Sequence, residues 1–188
     1  VPIKRIKSTW HRPTPDVGDK SLQDIAGAIA FIAWRIALES AKDLHRERFN
    51  YESDPQRAAV IAEFLAFLVQ VADRLIYDML DDADRAVVIN ALGQRLAEHV
   101  QDNLADLFGP GDYRTPFIET LNERLQDYAE FSFADDQPDY RFMRYFGDRI
   151  LKILGEDQTN RWVIDQIMDK SGPEAVNHMV RSVRNLFD

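Results

Sequence analysis

Ile25 to Leu38 reads I-A-G-A-I-A-F-I-A-W-R-I-A-L, fourteen positions with one charge, Arg35. A bilayer-spanning helix needs about 20 consecutive apolar residues, so the run itself is short for that task. It is also apolar on every side, which an ordinary surface helix is not. The reading is a central helix enclosed by other helices, with no membrane span. Leu22, Ile25, Ile29, Ile32 and Ile36 form one stripe at helical spacing, and Ala26, Ala30, Ala33 and Ala37 form a second. Small side chains on a stripe let a neighbouring helix approach closely.

Outward from this run, the period predicts a first helix over 19–49, with Asp19 or Ser21 as N-cap. A second helix is predicted over 53–80, opened by Ser53-Asp54-Pro55-Gln56. Ser53 and Gln56 have capping-box spacing, and proline suits a first turn. Ile61, Phe64, Leu65, Leu68, Ala72, Leu75, Ile76 and Met79 mark its main face. Phe67, Val69 and Val71 widen that face. Joined by a few residues, the two helices make a long antiparallel hairpin. Further helices are predicted over 81–108 (ended by Gly109-Pro110-Gly111), 115–131, 138–154, 159–170 (ended at Gly172) and 173–187. No segment sustains period-2 alternation; Phe131-Ser132-Phe133 is too short to count. No fixed-period repeat argues for a solenoid. The expected fold is all-α: one orthogonal or antiparallel bundle of six or seven helices around the long hairpin, occupying 19–188.

Residues 1–18 contain Pro2, Pro13, Pro15 and Gly18 and read as an extended arm. Residues 1–20 carry Lys4, Arg5, Lys7, Arg12 and Lys20 against Asp16 and Asp19, while the rest of the chain holds 18 Lys and Arg against 30 Asp and Glu. An acidic body repels phosphate backbones, so no nucleic-acid partner is expected. A disordered leader is the favoured reading of this arm; the alternative is docking on an acidic surface, its own included, with Trp10 as the apolar contact. The chain has no cysteine, which excludes disulfides and thiolate chemistry and leaves the compartment open. A cytoplasmic location is the default expectation.

Asp78-Met-Leu-Asp81-Asp82-Ala-Asp84-Arg85 is the densest acidic stretch. Carboxylates at i and i+4 share a helix face and can hold Mg²⁺ bridged to a diphosphate. The stretch resembles the Asp-rich motif of all-helical prenyl-diphosphate synthases over about ten residues. That resemblance implies Asp78 and Asp82 as metal ligands, with Asp165 and Asp169 as a facing pair. The chain departs from the family in lacking Arg-Arg-Gly after the first motif and an Asp-Asp pair in the second. With 32 acidic residues in 188, chance alone gives about five acidic i,i+4 pairs, counted as a spaced pattern. Capping of the third helix by Asp81, Asp82 and Asp84 is therefore the favoured reading.

His11, His45, His99 and His178 lack the Glu-x-x-His spacing of helical di-metal sites. No Gly-x-Ser-x-Gly elbow or phosphate-cradling glycine loop is present. No catalytic residue, cofactor or metal is expected. Tyr140 to Arg149 mixes four aromatics with three arginines. Phe142, Tyr145, Phe146 and Arg149 fall on one helix face, as core residues do, and the alternative is a protein-contact surface. Tyr140, Arg141, Arg144, Tyr145 and Arg35 are the contact-surface candidates. Arg35 is expected to reach water or pair with Glu39; if another helix covers it, hairpin counting offers Gln70 or Glu63 as acceptors. The functional expectation is a non-enzymatic helical interaction protein (adaptor, chaperone or regulator) that self-associates as a homodimer. The alternative is a small-molecule-binding helical cavity or a Mg²⁺-dependent diphosphate enzyme.

Overall fold

A computed structural model describes residues 17–155 and 162–187. The expected arm therefore lies outside the described residues, apart from its last two positions, Val17 and Gly18, which already belong to the first helix. The helices are α1 Val17–Arg46, α2 Asp54–Ile76, α3 Asp82–Phe108, α4 Arg114–Ala129, α5 Tyr140–Leu154, α6 Val163–Gln166 and α7 Gly172–Phe187. The all-α bundle is as expected, with one short hairpin of two two-residue strands, among the described residues, added between α4 and α5.

The capping signals act where the sequence places them. Ser53 accepts from the Gln56 amide at 3.3 Å, and Gln56 Oε1 accepts from the Glu52 amide at 2.7 Å. Asp81 accepts from the Asp84 amide at 2.9 Å and opens α3. Asp139 accepts from the Phe142 amide at 2.8 Å and opens α5. Gly109 and Gly155 end α3 and α5 at φ 89° and 79°, in backbone that a side chain would strain. Asp19 and Ser21 are not caps: α1 begins at Val17 and contains both. Apolar periodicity starts only at Leu22, so it carries no information on how far the helix extends before it.

The centre of the bundle is α2, a correction to the reading of the apolar run. Every residue from Glu63 to Ala72 is buried. The helix packs on α1, α3, α4, α5 and α7. In contrast, α1 lies against α2, α3 and α7 and keeps one edge in solvent, where Phe31 is 57% exposed. Its alanine stripe (Ala26, Ala30, Ala33, Ala37) is wholly buried, as close approach requires. By length and composition α1 is able to cross a membrane, its most apolar 18 residues having a mean hydropathy of 1.3. In this fold 39% of that stretch is buried, against α2, α3 and α7, and the remainder, Phe31 included, stays on the outer edge.

Two further expectations are corrected. Gly172 is not a helix stop. A π-helical turn, Ile167–Ser171, joins α6 to α7, and the Gly172 amide bonds back to the Ile167 carbonyl. Pro173 supplies no amide to the preceding turn, and the wider turn accommodates it. Glycine is required at 172 by closeness: a Cβ there would stand 2.2 Å from Met143 Cε and 2.7 Å from the Ile167 carbonyl oxygen. The second correction is the hairpin, where Phe133 pairs with Pro138 and Ala134 with Gln137. Asp135 and Asp136 turn it at φ 52° and 59°. Tight hairpins favour this left-handed pair of residues, and aspartate tolerates the conformation.

Candidate functional site

Helices α1 and α3 run parallel, because each is antiparallel to α2. Near their middles they touch, with Trp34 stacked on His99 at 5.6 Å between ring centroids. Beyond that stack a half-open groove of about 790 Å³ lies between the C-terminal halves of α1 and α3 and the first turns of α2. Its walls are apolar: Trp34, Leu38 and Ala41 from α1, Ile61 and Ala62 from α2, Val100, Leu104 and Leu107 from α3. The polar lining gathers where α1 ends and α2 begins, at Lys42, Arg46, Asn50, Asp54 and Arg57. Tyr51 closes this end, donating its hydroxyl to the Ala41 carbonyl at 2.8 Å. Burial pushes the Tyr51 hydroxyl above the usual tyrosine range, which keeps it a neutral donor.

The ion pairs at the rim are exposed ones. Arg46 donates to Glu39 at 2.8 Å and also to Asp43, Lys42 stands 3.6 Å from Glu39, and Arg57 stands 3.1 Å from Asp54. Exposed pairs of this kind contribute little to stability and rearrange readily. Arg46 holds the Glu39 carboxyl below its ordinary value through their hydrogen bond. Leu107 is 51% exposed at the groove mouth, and Phe108 beside it is 39% exposed. Phe31 is one helical turn from Trp34, so apolar surface continues past both ends of the groove.

Arg35 reaches water, its guanidinium 5.7 Å over the ring of exposed Phe31. Glu39 binds Arg46 and Lys42 instead. Glu63, the acceptor offered for a covered Arg35, faces α4. There Arg124 grips it through Nε at 3.0 and 2.9 Å and Nη2 at 2.6 Å. This buried pair joins α2 to α4 and is the polar contact that sequence reading misses. Its visible trace is a glutamate inside the apolar stretch Val60–Ala72; the partner, 61 positions on, has no such mark. Beside it lie the rings of Phe67, Tyr128, Phe142 and Phe146, with Phe67 and Phe146 stacked at 4.1 Å. Burial raises the Tyr128 hydroxyl well above its ordinary value. These groups face each other across the core, and none of them lines the groove.

The remaining candidates separate. Tyr145 turns inward and donates to Asp127; burial and then that carboxylate push its pKa up to about 12. Tyr140, Arg141 and Arg144 are exposed. Arg141 sits 5.8 Å over the Phe131 ring, and Arg144 is 3.4 Å from Asp148. The favoured core reading of Phe142 and Phe146 is what the structure shows. Asp82, 92% exposed, stands in the first turn of α3 with Arg85 at 3.7 Å. Asp78 lines a second cleft at the opposite end of the bundle from the groove. Asp165 and Asp169 are exposed on α6 and the π turn. Among the described residues no three Asp, Glu or His side chains come together to hold a metal ion. Asp78, Asp82, Asp165 and Asp169 are thus not gathered into one site.

No protein-family model, curated protein or solved structure matches the chain.

Proposed function

We propose that this is a non-enzymatic helical interaction protein, an adaptor, chaperone or regulator, and that the groove between α1 and α3 is where it engages its partner. The observation that carries the reading is the groove itself. It is long, apolar along its walls and polar at one end, and Leu107 and Phe108 extend it into solvent. Amphipathic helices dock into grooves of this kind by laying an apolar face along the floor. Exposed apolar surface continuous with a groove is the usual mark of a contact site. A second copy of the chain is the first partner to test, since a homodimer would cover the same surface.

A second reading has support in the groove's volume. Small-molecule pockets span about 300–1,000 Å³ and are mostly apolar with few polar groups. On that reading the groove takes an apolar ligand whose polar end meets Lys42, Arg46 and Arg57.

Ala62→Trp fills the groove from its floor and separates both readings from a passive surface. Light scattering behind size exclusion, over a range of concentrations, is expected to show a wild-type dimer that the variant weakens at least tenfold. A strict monomer whose groove amides shift on titration with dodecanol supports the ligand reading instead. A strict monomer with no such shift counts against both.

A further inference from the structure

The second cleft lies at the other end of the bundle and is independent of the groove. It has a volume of about 630 Å³ and lies between the end of α2, the β-hairpin and α7. Leu75, Tyr77 and Phe133 give it an apolar wall, and Tyr77 is 58% exposed. Its arginines are engaged: Arg74 donates to the Tyr128 carbonyl at 3.2 Å, and Arg184 grips Asp136. The nearby Arg85 guanidinium lies 4.7 Å over the Tyr77 ring and 3.5 Å from Asp73. Among the described residues, no cation pairs with the lining carboxylates Asp78 and Asp135. The acidic surface continues from Asp78 into Asp81 and Asp82.

This cleft is at the end of the bundle where the described chain begins. Counted outward from the connection at 47–53, Ile76 stands level with about residue 24 of α1, so the start of α1 projects about 10 Å beyond the end of α2. The segment before α1, residues 1–16, carries Lys4, Arg5, Lys7 and Arg12 against Asp16, with Ile3, Ile6 and Trp10 among them. Sixteen extended residues reach at most about 55 Å, and the seven steps from Val17 to Trp10 reach about 25 Å. That covers the width of a small helical bundle. A basic, aromatic segment is thus tethered within reach of a cleft that presents unpaired carboxylates beside an exposed tyrosine.

We propose that the cleft at Tyr77, Asp78, Phe133 and Asp135 is the docking site of the chain's own segment 1–16. Trp10 lies against Tyr77 and Phe133, and the flanking Lys and Arg side chains face Asp78, Asp81, Asp82 and Asp135. Tethering favours docking in cis over binding a basic segment from elsewhere, because the effective concentration on a short linker is in the millimolar range.

The absence of cysteine makes the test direct. Ser8→Cys gives the full chain a single attachment point for a nitroxide and leaves Trp10 in place. Paramagnetic broadening of amide resonances is expected at 75–84 and 133–136. It should fall at least twofold in Trp10→Ala, in Asp78→Lys/Asp135→Asn, and at high salt. Asparagine tolerates the left-handed backbone at 135, and Asp78 is exposed, so both substitutions spare the fold. Broadening at 100–107, or none above the diffuse background, would overturn the proposal. So would broadening that persists unchanged in the Asp78→Lys/Asp135→Asn variant. If isotope-labelled chains are broadened only by nitroxide on a second, unlabelled chain, the segment docks between copies and the in-chain assignment is wrong. Broadening at 100–107 would seat the segment at the groove instead; the other outcomes leave the groove untouched.

Discussion

Glu63 and Arg124 are the residues on which stability is most sharply focused. A buried ion pair costs desolvation on both sides, and removing one partner strands the other charge. Arg124→Ala is expected to destabilise the protein by about 3–5 kcal/mol in urea unfolding. The double change Glu63→Leu/Arg124→Leu is expected to cost less than that single change. Equal or additive losses would mean the pair acts as two separate groups. Asp73 is the opposite case. Burial raises its carboxyl pKa, and the nearby Arg85 and Arg74 offset only part of the rise. A carboxyl whose folded value exceeds its unfolded value favours folding most when protonated, and stability is lost as pH rises through the carboxylate range. Asp73→Asn is therefore expected to raise the melting temperature at pH 7, with the gain vanishing below the range in which Asp73 titrates. A loss at pH 7 would show that the contact with Arg85 outweighs the burial.

At the scale of elements, the join between α6 and α7 rests on one close approach. Gly172→Ala puts a methyl group against Met143 and the Ile167 carbonyl, and overpacking of this kind costs about 1–3 kcal/mol. Thermal unfolding of that variant measures it, and an unchanged melting temperature would mean that both Met143 and the π-turn backbone at Ile167 shift without cost. The same join shows where sequence reading stops. Ser53, Asp81, Gly109 and Gly155 act through their immediate neighbours, so their roles as caps and stops were legible. Gly172-Pro173 reads as a stop by the same local logic. Only the packing of α5 against the join, through Met143, reveals a π turn that carries the helix onward. Likewise the stripe of α1 was readable and its enclosure was not. Apolarity on all sides says that a helix is covered, and which helix lies deepest depends on the neighbours each one meets. Glu63 looked like an acceptor for α1 because hairpin counting sees only two helices. The groove was less legible still: Trp34 lies in a run that reads as covered on every side, and the space beside it opens between α1 and α3 past the Trp34–His99 stack.

At the scale of the whole molecule, the two ends of the bundle differ in kind. One end opens a groove whose lining holds Lys42, Arg46 and Arg57 against the single carboxylate Asp54. The other end gathers Asp78, Asp81, Asp82 and Asp135, in a chain whose 32 acidic residues outnumber 23 basic ones. These three cations are each paired with a carboxylate (Glu39, Asp43 or Asp54), so an approaching partner would register on the groove by exchanging those pairs. Arg57→Glu, at an exposed position, is expected to weaken any groove-dependent association several-fold and to reduce its salt dependence, with little change in melting temperature. The most direct measurement of the groove's role is amide hydrogen exchange on the full chain at low and high protein concentration, with Ala62→Trp as control. Slowed exchange confined to segments 34–46, 53–62 and 100–108 at high concentration, and absent in Ala62→Trp, is the result predicted for a second copy seated in the groove. Concentration-dependent protection that appears elsewhere and survives Ala62→Trp would contradict it.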